Sequence, residues 1–269
     1  MIDDVRWLHR WPRIGPITFR VGRAGEHIVA EWPGLGVLRT DVSGSDSHFA
    51  PVGAAVAGSL RDHFDEIVAA LLGHLNGGMT LHASCVARGD VGIGFLGDSG
   101  AGKSTLAMRL CALHDAELLS DDVMGLRFAE DRIDAMPTET HHWLRTDVAR
   151  EMSLEAVTER RKVPLLPRRH AGRPTRLKAL VSLTFGDVDT PLLVRLRGAE
   201  AFAALSIGAF RLGLDVFAPM RSDLDNLAHI ARETEVFELR RRRTADCMNA
   251  SVQVVSDLLD ELRRGGSEP

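Results

Sequence analysis

The stretch "GFLGDSGAGKSTL", residues 94–106, constrains this chain more than any other part of it. Residues 97–104 fit the pattern G-x-x-x-x-G-K-[ST]. An apolar run, 91–97, leads into the glycines, and a run with helical spacing, 103–114, follows them. The motif therefore stands between a strand and a helix, as a phosphate-binding loop requires, and the 269 residues suffice for one large α/β domain with a small extension.

The glycine loop predicts a bound nucleotide and Mg²⁺. Glycines allow the backbone to turn where a Cβ would clash, and the successive N–H groups then bind phosphate oxygens at a helix N-terminus. Lys103 reaches the β- and γ-phosphates and Ser104 offers its hydroxyl to Mg²⁺. ATP is the predicted donor, although no base-reading motif is visible and GTP and pyrophosphate stay open. The predicted nucleotide contacts are Gly97, Asp98, Ser99, Gly100, Ala101, Gly102, Lys103, Ser104 and Thr105.

Two neighbouring acids, Asp121 and Asp122, lie near the middle of the next predicted strand, 116–128. Paired carboxylates near Mg²⁺ can divide the work, one holding the metal and the other accepting the proton of an attacking hydroxyl. Two adjacent negative charges also raise the pKa of one of them, which makes it a better base. The alternative is that both are surface acids at the end of a strand.

A histidine precedes the glycine loop on a separate predicted strand. His82 lies in the run 79–88, which a two-residue turn, 89–90, joins to the strand of the loop. Antiparallel pairing of these strands would bring His82 close to residues 95–97 and therefore to the phosphates. An isolated histidine on a strand is more often a structural residue, so the spacing alone leaves both interpretations open.

Together, the histidine, the loop and the acids resemble the HPr kinase/phosphorylase family, whose core is related to phosphoenolpyruvate carboxykinase. In that family a histidine precedes "GDSGxGKS" by about fifteen residues and an Asp-Asp pair follows on the next strand. Here His82 precedes Gly97 by fifteen residues, "GDSGAGKS" occupies 97–104, and Asp121 and Asp122 form the pair. The likeness covers roughly residues 81–123.

The resemblance implies a P-loop kinase core and transfer of a phosphoryl group to a serine hydroxyl. By position, Asp121 matches the general base and Asp122 matches the acid near the metal, which Ser104 would share. His82 matches the histidine that assists them, and Lys103 completes the predicted catalytic group. The chain resembles the divergent HPr-kinase-like proteins found beside peptide-tailoring genes, including lasso-peptide clusters, more than the family's typical members. This resemblance implies a peptide, protein or small-molecule hydroxyl as acceptor.

The family's "ExRG" signature after the acidic pair is absent, which keeps two other functions open. One is an inactive ATP-binding module that recruits a peptide to a biosynthetic complex. The other is an ATPase motor or switch. The "LSGGQ"-type signature of transporter ATPases and the "NKxD" motif of GTPases are both missing from the sequence, which disfavours that second class.

We expect a β-rich N-terminal extension, 1–58, followed by the HPr-kinase-like α/β core, 59–269. The extension carries predicted strands at 16–22, 27–32 and 36–42. In the core, further elements are predicted as follows: helices at 59–75, 148–162 and 247–264, core strands at 177–185, 191–197 and 234–240, and a mobile loop at 163–175. The final helix is expected in the core or at a dimer face. Oligomeric state stays open, although relatives of the family that the chain resembles form closed oligomers.

Two basic segments complete the candidates. Residues 160–178 carry eight Lys and Arg residues and no acid, and Lys162 is predicted to contact a phosphate, the alternative being a solvated loop. The run "RRRR", 240–243, is expected to face solvent. Trp143 is a candidate for stacking on the base, whereas the other three tryptophans are expected to be packing anchors.

The remaining expectations come from composition. A net charge of −4 argues against broad nucleic-acid binding, and no run of about eighteen apolar residues exists to span a membrane. The first residues lack the apolar segment of a signal peptide. Three widely spaced cysteines fit a reducing compartment, so we expect a cytoplasmic protein.

Overall fold

A computed structural model describes residues 4–14, 17–34, 36–41, 46–51, 73, 78–151, 162–209 and 220–265. These residues form sixteen strands and five helices, so the protein is mixed α/β with strands dominating. The chain divides into two compact units, one of residues 1–78 and 211–223 and the other of residues 79–210 and 224–269. The predicted boundary at residue 58 lies outside the described residues.

The first unit contains a five-stranded antiparallel sheet in which sequential neighbours pair. Its strands are β1 (Arg6–Ile14), β2 (Ile17–Ala24), β3 (His27–Trp32), β4 (Gly36–Thr40) and β5 (Ser47–Pro51). The three strands predicted here correspond to β2, β3 and β4, which confirms them. Short connections suffice because each strand pairs with the next one in the chain.

The second unit is built on a nine-stranded sheet with the long strand β14 (Thr175–Phe185) in its interior. The other strands of the unit are β6 (Met79–Leu81), β7 (Ser84–Arg88), β8 (Val91–Leu96), β9 (Glu117–Ser120), β10 (Met124–Phe128), β11 (Ile133–Ala135), β12 (His142–Arg145), β13 (Lys162–Leu165), β15 (Leu192–Leu196) and β16 (Glu235–Arg241). Strand β14 runs parallel to both β8 and β16. Strands β12 and β13 form a separate antiparallel pair. The parallel pairing places the ends of β8, β14 and β16 at one edge of the sheet, and this edge carries the glycine loop.

Apolar side chains alternate between the two faces of this sheet, so each face has its own hydrophobic core. Phe95 and Val181 belong to one core, whereas their neighbours Leu96 and Leu180 belong to the other. The helices of the chain are α1 (Lys103–Leu113), α2 (Thr146–Glu151), α3 (Gly198–Gly208), α4 (Met220–Glu233) and α5 (Ala245–Gly265). Helices α1 and α5 cover the first face, and α3 and part of α4 cover the second.

Several elements predicted from the sequence need correction. The run 191–197 was expected to be a core strand, but β15 pairs only with β16 among the described strands and exposes Leu192 and Val194 by 47% and 38%. Its apolar side chains therefore lie at an edge of the sheet. The loop predicted at 163–175 begins inside β13. Helix α2 covers the start of the helix predicted at 148–162, and residues 152–161 lie outside the described part. The helix predicted at 59–75 also lies outside it, apart from residue 73.

The helices that the structure describes are all too short or too polar to cross a lipid bilayer.

Candidate functional site

The glycine loop between β8 and α1 has a backbone that only glycine accepts at two of its positions. Gly97 has φ +137°, and a Cβ there would lie 2.9 Å from the carbonyl oxygen of Leu183. Gly102 has φ +94°, and a Cβ there would lie 2.6 Å from Nη2 of Arg241. Both the positive φ and the close approach exclude larger residues at these positions. Glycine therefore allows the loop to turn sharply into the start of α1.

The N-terminus of α1 has the features of an anion-binding site. No side chain caps this helix, and no acidic residue lies in its first turn. Lys103 is only 6% exposed, and its Nζ donates to the carbonyl oxygens of Gly97 at 2.8 Å and Asp98 at 3.4 Å. The lysine therefore folds back across the loop, where its charge adds to the partial positive charge of the helix N-terminus.

A cleft of about 450 Å³ opens over the loop. The residues predicted from the sequence that line it are His82, Ser99, Gly100, Gly102, Lys103, Ser104, Thr105 and Asp122. Trp143 also lines the cleft, although the residue is only 5% exposed. Gly97, Asp98 and Ala101 belong to the same loop without lining the cleft. The structure thus brings the histidine, one of the two acids and the loop together in one place.

The two neighbouring acids lie in different environments, because the strand predicted at 116–128 is interrupted. Strand β9 ends at Ser120 and β10 begins at Met124, and the two strands pair with different neighbours, β7 and β6. Asp121 and Asp122 occupy the turn between them. The prediction of one continuous strand was therefore wrong, and the turn directs the two carboxylates apart.

Asp121 is fully buried and makes structural contacts. Its Oδ1 accepts a hydrogen bond from Oγ of Ser84 at 2.9 Å, and its Oδ2 accepts one from the backbone N–H of Trp143. Nδ1 of the buried His142 lies 4.0 Å from Oδ1. Both carboxylate oxygens are thus committed to contacts inside the protein, and Asp121 is not among the residues that line the cleft. This placement does not support the predicted role of Asp121 as the base.

Asp122 lies beside His82 at the wall of the cleft. Nδ1 of His82 lies 2.9 Å from the carbonyl oxygen of Asp122 and 3.5 Å from its Oδ1. Since a carbonyl oxygen can only accept, this hydrogen bond requires the proton on Nδ1 of the imidazole. The His82 side chain is 37% exposed, so the pair stands where a substrate can reach it.

Glu139, which is not among the site residues predicted from the sequence, fixes the turn that carries the two acids. Its Oε2 accepts hydrogen bonds from the backbone N–H groups of Asp121 and, at 2.8 Å, Asp122, and its Oε1 accepts one from Val123 at 3.0 Å. Glu139 is only 4% exposed. One buried carboxylate therefore satisfies three consecutive N–H groups and holds Asp122 in position.

The run of arginines at 240–243, expected to face solvent, is divided between the site and the surface. Arg241 is 3% exposed, and its Nη2 donates to the carbonyl oxygen of Ala101 in the loop at 2.7 Å. Burial lowers the pKa of Arg241, and the nearby charge of Arg243 adds to this effect. Arg240 and Arg242 instead pair with carboxylates at the surface. Alternate residues of a strand point to opposite sides, and this period of two was the signal available in the sequence.

Arg145 is a further cation of the cleft that sequence reasoning missed. Its Nε and Nη2 donate to the two carboxylate oxygens of Asp147 at 3.0 and 2.6 Å. The hydrogen bonds from Arg145 lower the pKa of Asp147 to about 2, and Asp147 in turn raises the pKa of Arg145. Both groups therefore carry their charges throughout the physiological range.

Two oxygen-bearing side chains of the cleft, Ser104 and Asp122, have the chemistry that Mg²⁺ prefers. Among the described residues no group of three or more His, Cys, Asp and Glu side chains is arranged to hold a metal ion. That finding is compatible with Mg²⁺ in phosphoryl transfer, since it is bound by few protein groups and by substrate phosphates. Lys162, the predicted phosphate contact in the basic segment, is the first residue of β13, and its side chain lies outside the described part.

Comparisons with known proteins give only a remote likeness. No family model and no curated protein matches this chain. Among solved structures, the HPr(Ser) kinase/phosphatase from Coxiella burnetii is similar over 70% of this chain and 99% of that chain, with 15% sequence identity and a TM-score of 0.38. The likeness is one of overall fold at long distance.

Proposed function

We propose that this chain is a Mg²⁺-dependent phosphotransferase with a P-loop core of the HPr kinase type, which moves the terminal phosphoryl group of ATP to a hydroxyl group. The observation that carries the proposal is that His82, Asp122 and the glycine loop line one cleft. A serine of a peptide or protein is the acceptor that the resemblance to HPr-kinase-like proteins favours, and a small-molecule hydroxyl is the other.

The loop and the start of α1 would bind the phosphates through backbone N–H groups and Lys103. Ser104 and Asp122 would hold Mg²⁺, which when bound neutralises part of the phosphate charge. Because Lys103 already lies across the loop, bonded to two of its carbonyl oxygens, it needs no large movement to reach a phosphate. Most of the rate would come from positioning and charge neutralisation, since the protein does little covalent chemistry in such reactions.

In the proposed transfer, an oxygen of the acceptor forms a bond to the γ-phosphorus while the bond to the bridging oxygen breaks and ADP leaves. The proton of the acceptor hydroxyl must pass to a base. We assign this role to His82, because the carbonyl of Asp122 fixes the proton on Nδ1, and in its neutral form the ring then has a lone pair on Nε2. Asp121, whose carboxylate is buried, would have a structural role instead.

The burial of Asp121 favours one second candidate, a nucleotide-binding module without transfer activity. Such a module would keep the loop, Lys103 and Ser104 while the acid expected to act as base is sequestered. It would bind ATP and yield no phosphorylated product.

The decisive experiment incubates the protein with γ-labelled ATP, Mg²⁺ and a panel of serine peptides and small hydroxyl compounds, and follows the label by mass spectrometry. Label on an acceptor supports the proposal, and Lys103→Ala serves as the control that should abolish it. ATP binding without any product favours the binding module, and release of inorganic phosphate alone favours an ATPase.

A further inference from the structure

Two guanidinium groups from distant parts of the sequence lie at the tip of the glycine loop. A Cβ at Gly100 would lie 3.6 Å from Nη2 of Arg243 and 3.9 Å from Nη1 of Arg145. Arg145 ends β12, and Arg243 follows the end of β16 by two residues. Both side chains therefore reach the same turn of the loop from separate elements.

Each of the two side chains is held so that it presents nitrogen atoms to this turn. Arg145 uses Nε and Nη2 in its bonds to Asp147, so Nη1 is the nitrogen on the side of the loop. Arg243 lies over the ring of Phe185, with its Cζ 5.1 Å from the ring centroid. Among the residues that the structure describes, Arg243 forms no ion pair. Its charge is thus positioned by an aromatic ring without being neutralised.

The cleft as a whole has an excess of positive charge. Among the residues that the structure describes, five Lys and Arg side chains line it, against the two carboxylates of Asp122 and Asp147. The positive side chains are Lys103, Arg109, Arg145, Arg241 and Arg243. Like charges gathered in one cleft repel each other, and a polyanion relieves that repulsion. The excess of three positive charges favours a ligand with several negative charges, such as the phosphates of a nucleotide.

We propose that Arg145 and Arg243 form a clamp for the terminal phosphate of a nucleoside triphosphate, so that the site distinguishes triphosphates from diphosphates. This inference rests on the proposed function, because it assumes that the loop binds the phosphates of a nucleotide. Guanidinium groups bind phosphate through paired hydrogen bonds, and they stabilise charge on a transferring phosphoryl group. The clamp adds to the loop two contacts that a diphosphate does not reach.

The same run of arginines supplies a matched control. Arg242 donates to Asp187 at 2.8 Å and lies 3.1 Å from Asp189, away from the cleft. A change at Arg242 removes the same charge from the neighbouring position in the chain. Comparison of Arg243→Gln with Arg242→Gln therefore separates the local contact from the loss of net charge.

The test measures binding of ADP and of a non-hydrolysable ATP analogue by isothermal titration calorimetry, in the presence of Mg²⁺. For Arg243→Gln and for Arg145→Gln we expect about a tenfold loss of affinity for the triphosphate analogue, the effect of one charged hydrogen bond, and less than about a twofold change for ADP. Arg242→Gln should leave both affinities unchanged. Thermal unfolding of each variant checks that it is folded, and either clamp variant alone suffices for the test.

The clamp is overturned if Arg243→Gln weakens both nucleotides equally or neither of them. Unchanged nucleotide binding with a raised KM for the acceptor would assign Arg243 to the acceptor instead, which also overturns it. If the unaltered protein binds neither nucleotide, the proposed function fails and the clamp fails with it. If the unaltered protein binds both and only the discrimination is insensitive to Arg243, the proposed function stands and the clamp alone is wrong.

Discussion

Replacement of Glu139 by alanine tests whether a buried carboxylate organises the turn at Asp121 and Asp122. The change removes the acceptor of three backbone N–H groups. A hydrogen bond to a charged group contributes about 1.5–3 kcal/mol, so the gross loss is roughly 5–9 kcal/mol. Two effects oppose this loss: the carboxylate no longer has to be buried, and water can reach the N–H of Asp122, which is only half-buried.

We therefore expect the free energy of unfolding of Glu139→Ala to fall by about 3 kcal/mol, since burial of a charge typically offsets several kcal/mol of its interactions. Glu139→Gln should lose less, about 1 kcal/mol, because its carbonyl oxygen still accepts two of the three bonds while its amide meets one N–H. At about 2–4 °C per kcal/mol for a domain of this size, the alanine variant should melt roughly 6–12 °C lower.

Urea unfolding followed by tryptophan fluorescence measures this loss, because Trp143 adjoins Asp121. Glu130→Ala is the matched control, since Glu130 is exposed in a turn and its loss should change stability by less than about 0.5 kcal/mol. A loss under about 1 kcal/mol for Glu139→Ala, or a larger loss for glutamine than for alanine, would refute the reasoning.

Three further predictions concern His82 and Gly102 of the cleft and the buried Cys111 of the core. His82→Asn should lower phosphoryl transfer by about 10²–10⁴-fold with ADP affinity unchanged, and transfer within tenfold of normal would remove His82 as the base. Gly102→Ala should weaken nucleotide binding by about tenfold in calorimetry, because φ is positive and the new Cβ meets Arg241, whereas retained affinity would contradict the required turn. Burial, followed by the charge of Asp121, raises the pKa of Cys111 from 9.0 to about 12. The unfolded chain thus loses this proton first, and stability should fall as pH rises from about 9 towards 12. Urea unfolding across that range measures the slope, Cys111→Ala should reduce it, and an identical slope in both proteins would count against the assignment.

The parts of the site that the sequence predicts are those encoded by short-range spacing. The glycine loop follows from residues 97–104 alone, and the tight turn at 89–90 pairs β7 with β8 as far as Ser84 and Phe95. The strand predicted at 79–88 is interrupted between β6 and β7, so His82 lies two residues before the paired segment. Neither inference requires the order of the strands in the sheet. These are local constraints of backbone geometry, which a single sequence expresses directly.

The other half of the cleft depends on the order of strands, which the sequence does not express. Arg243 reaches the loop because β16 runs parallel to β14 and β14 runs parallel to β8. Arg145 arrives through the separate pair of β12 and β13. The sequence also does not show that Asp121 is buried while Asp122 lines the cleft. This difference depends on the turn between them, whose backbone N–H groups bind Glu139, eighteen residues further along the chain than Asp121.

The hydrogen bond from Arg241 to Ala101 joins the loop to a strand 140 residues further along the chain. A fragment that ends before that strand would contain every letter of the nucleotide motif and would lack the brace that shapes it. The loop is therefore not expected to keep this shape when it is moved into another protein without β16. During synthesis, the loop would reach this conformation only after β16 has been made and has paired with β14.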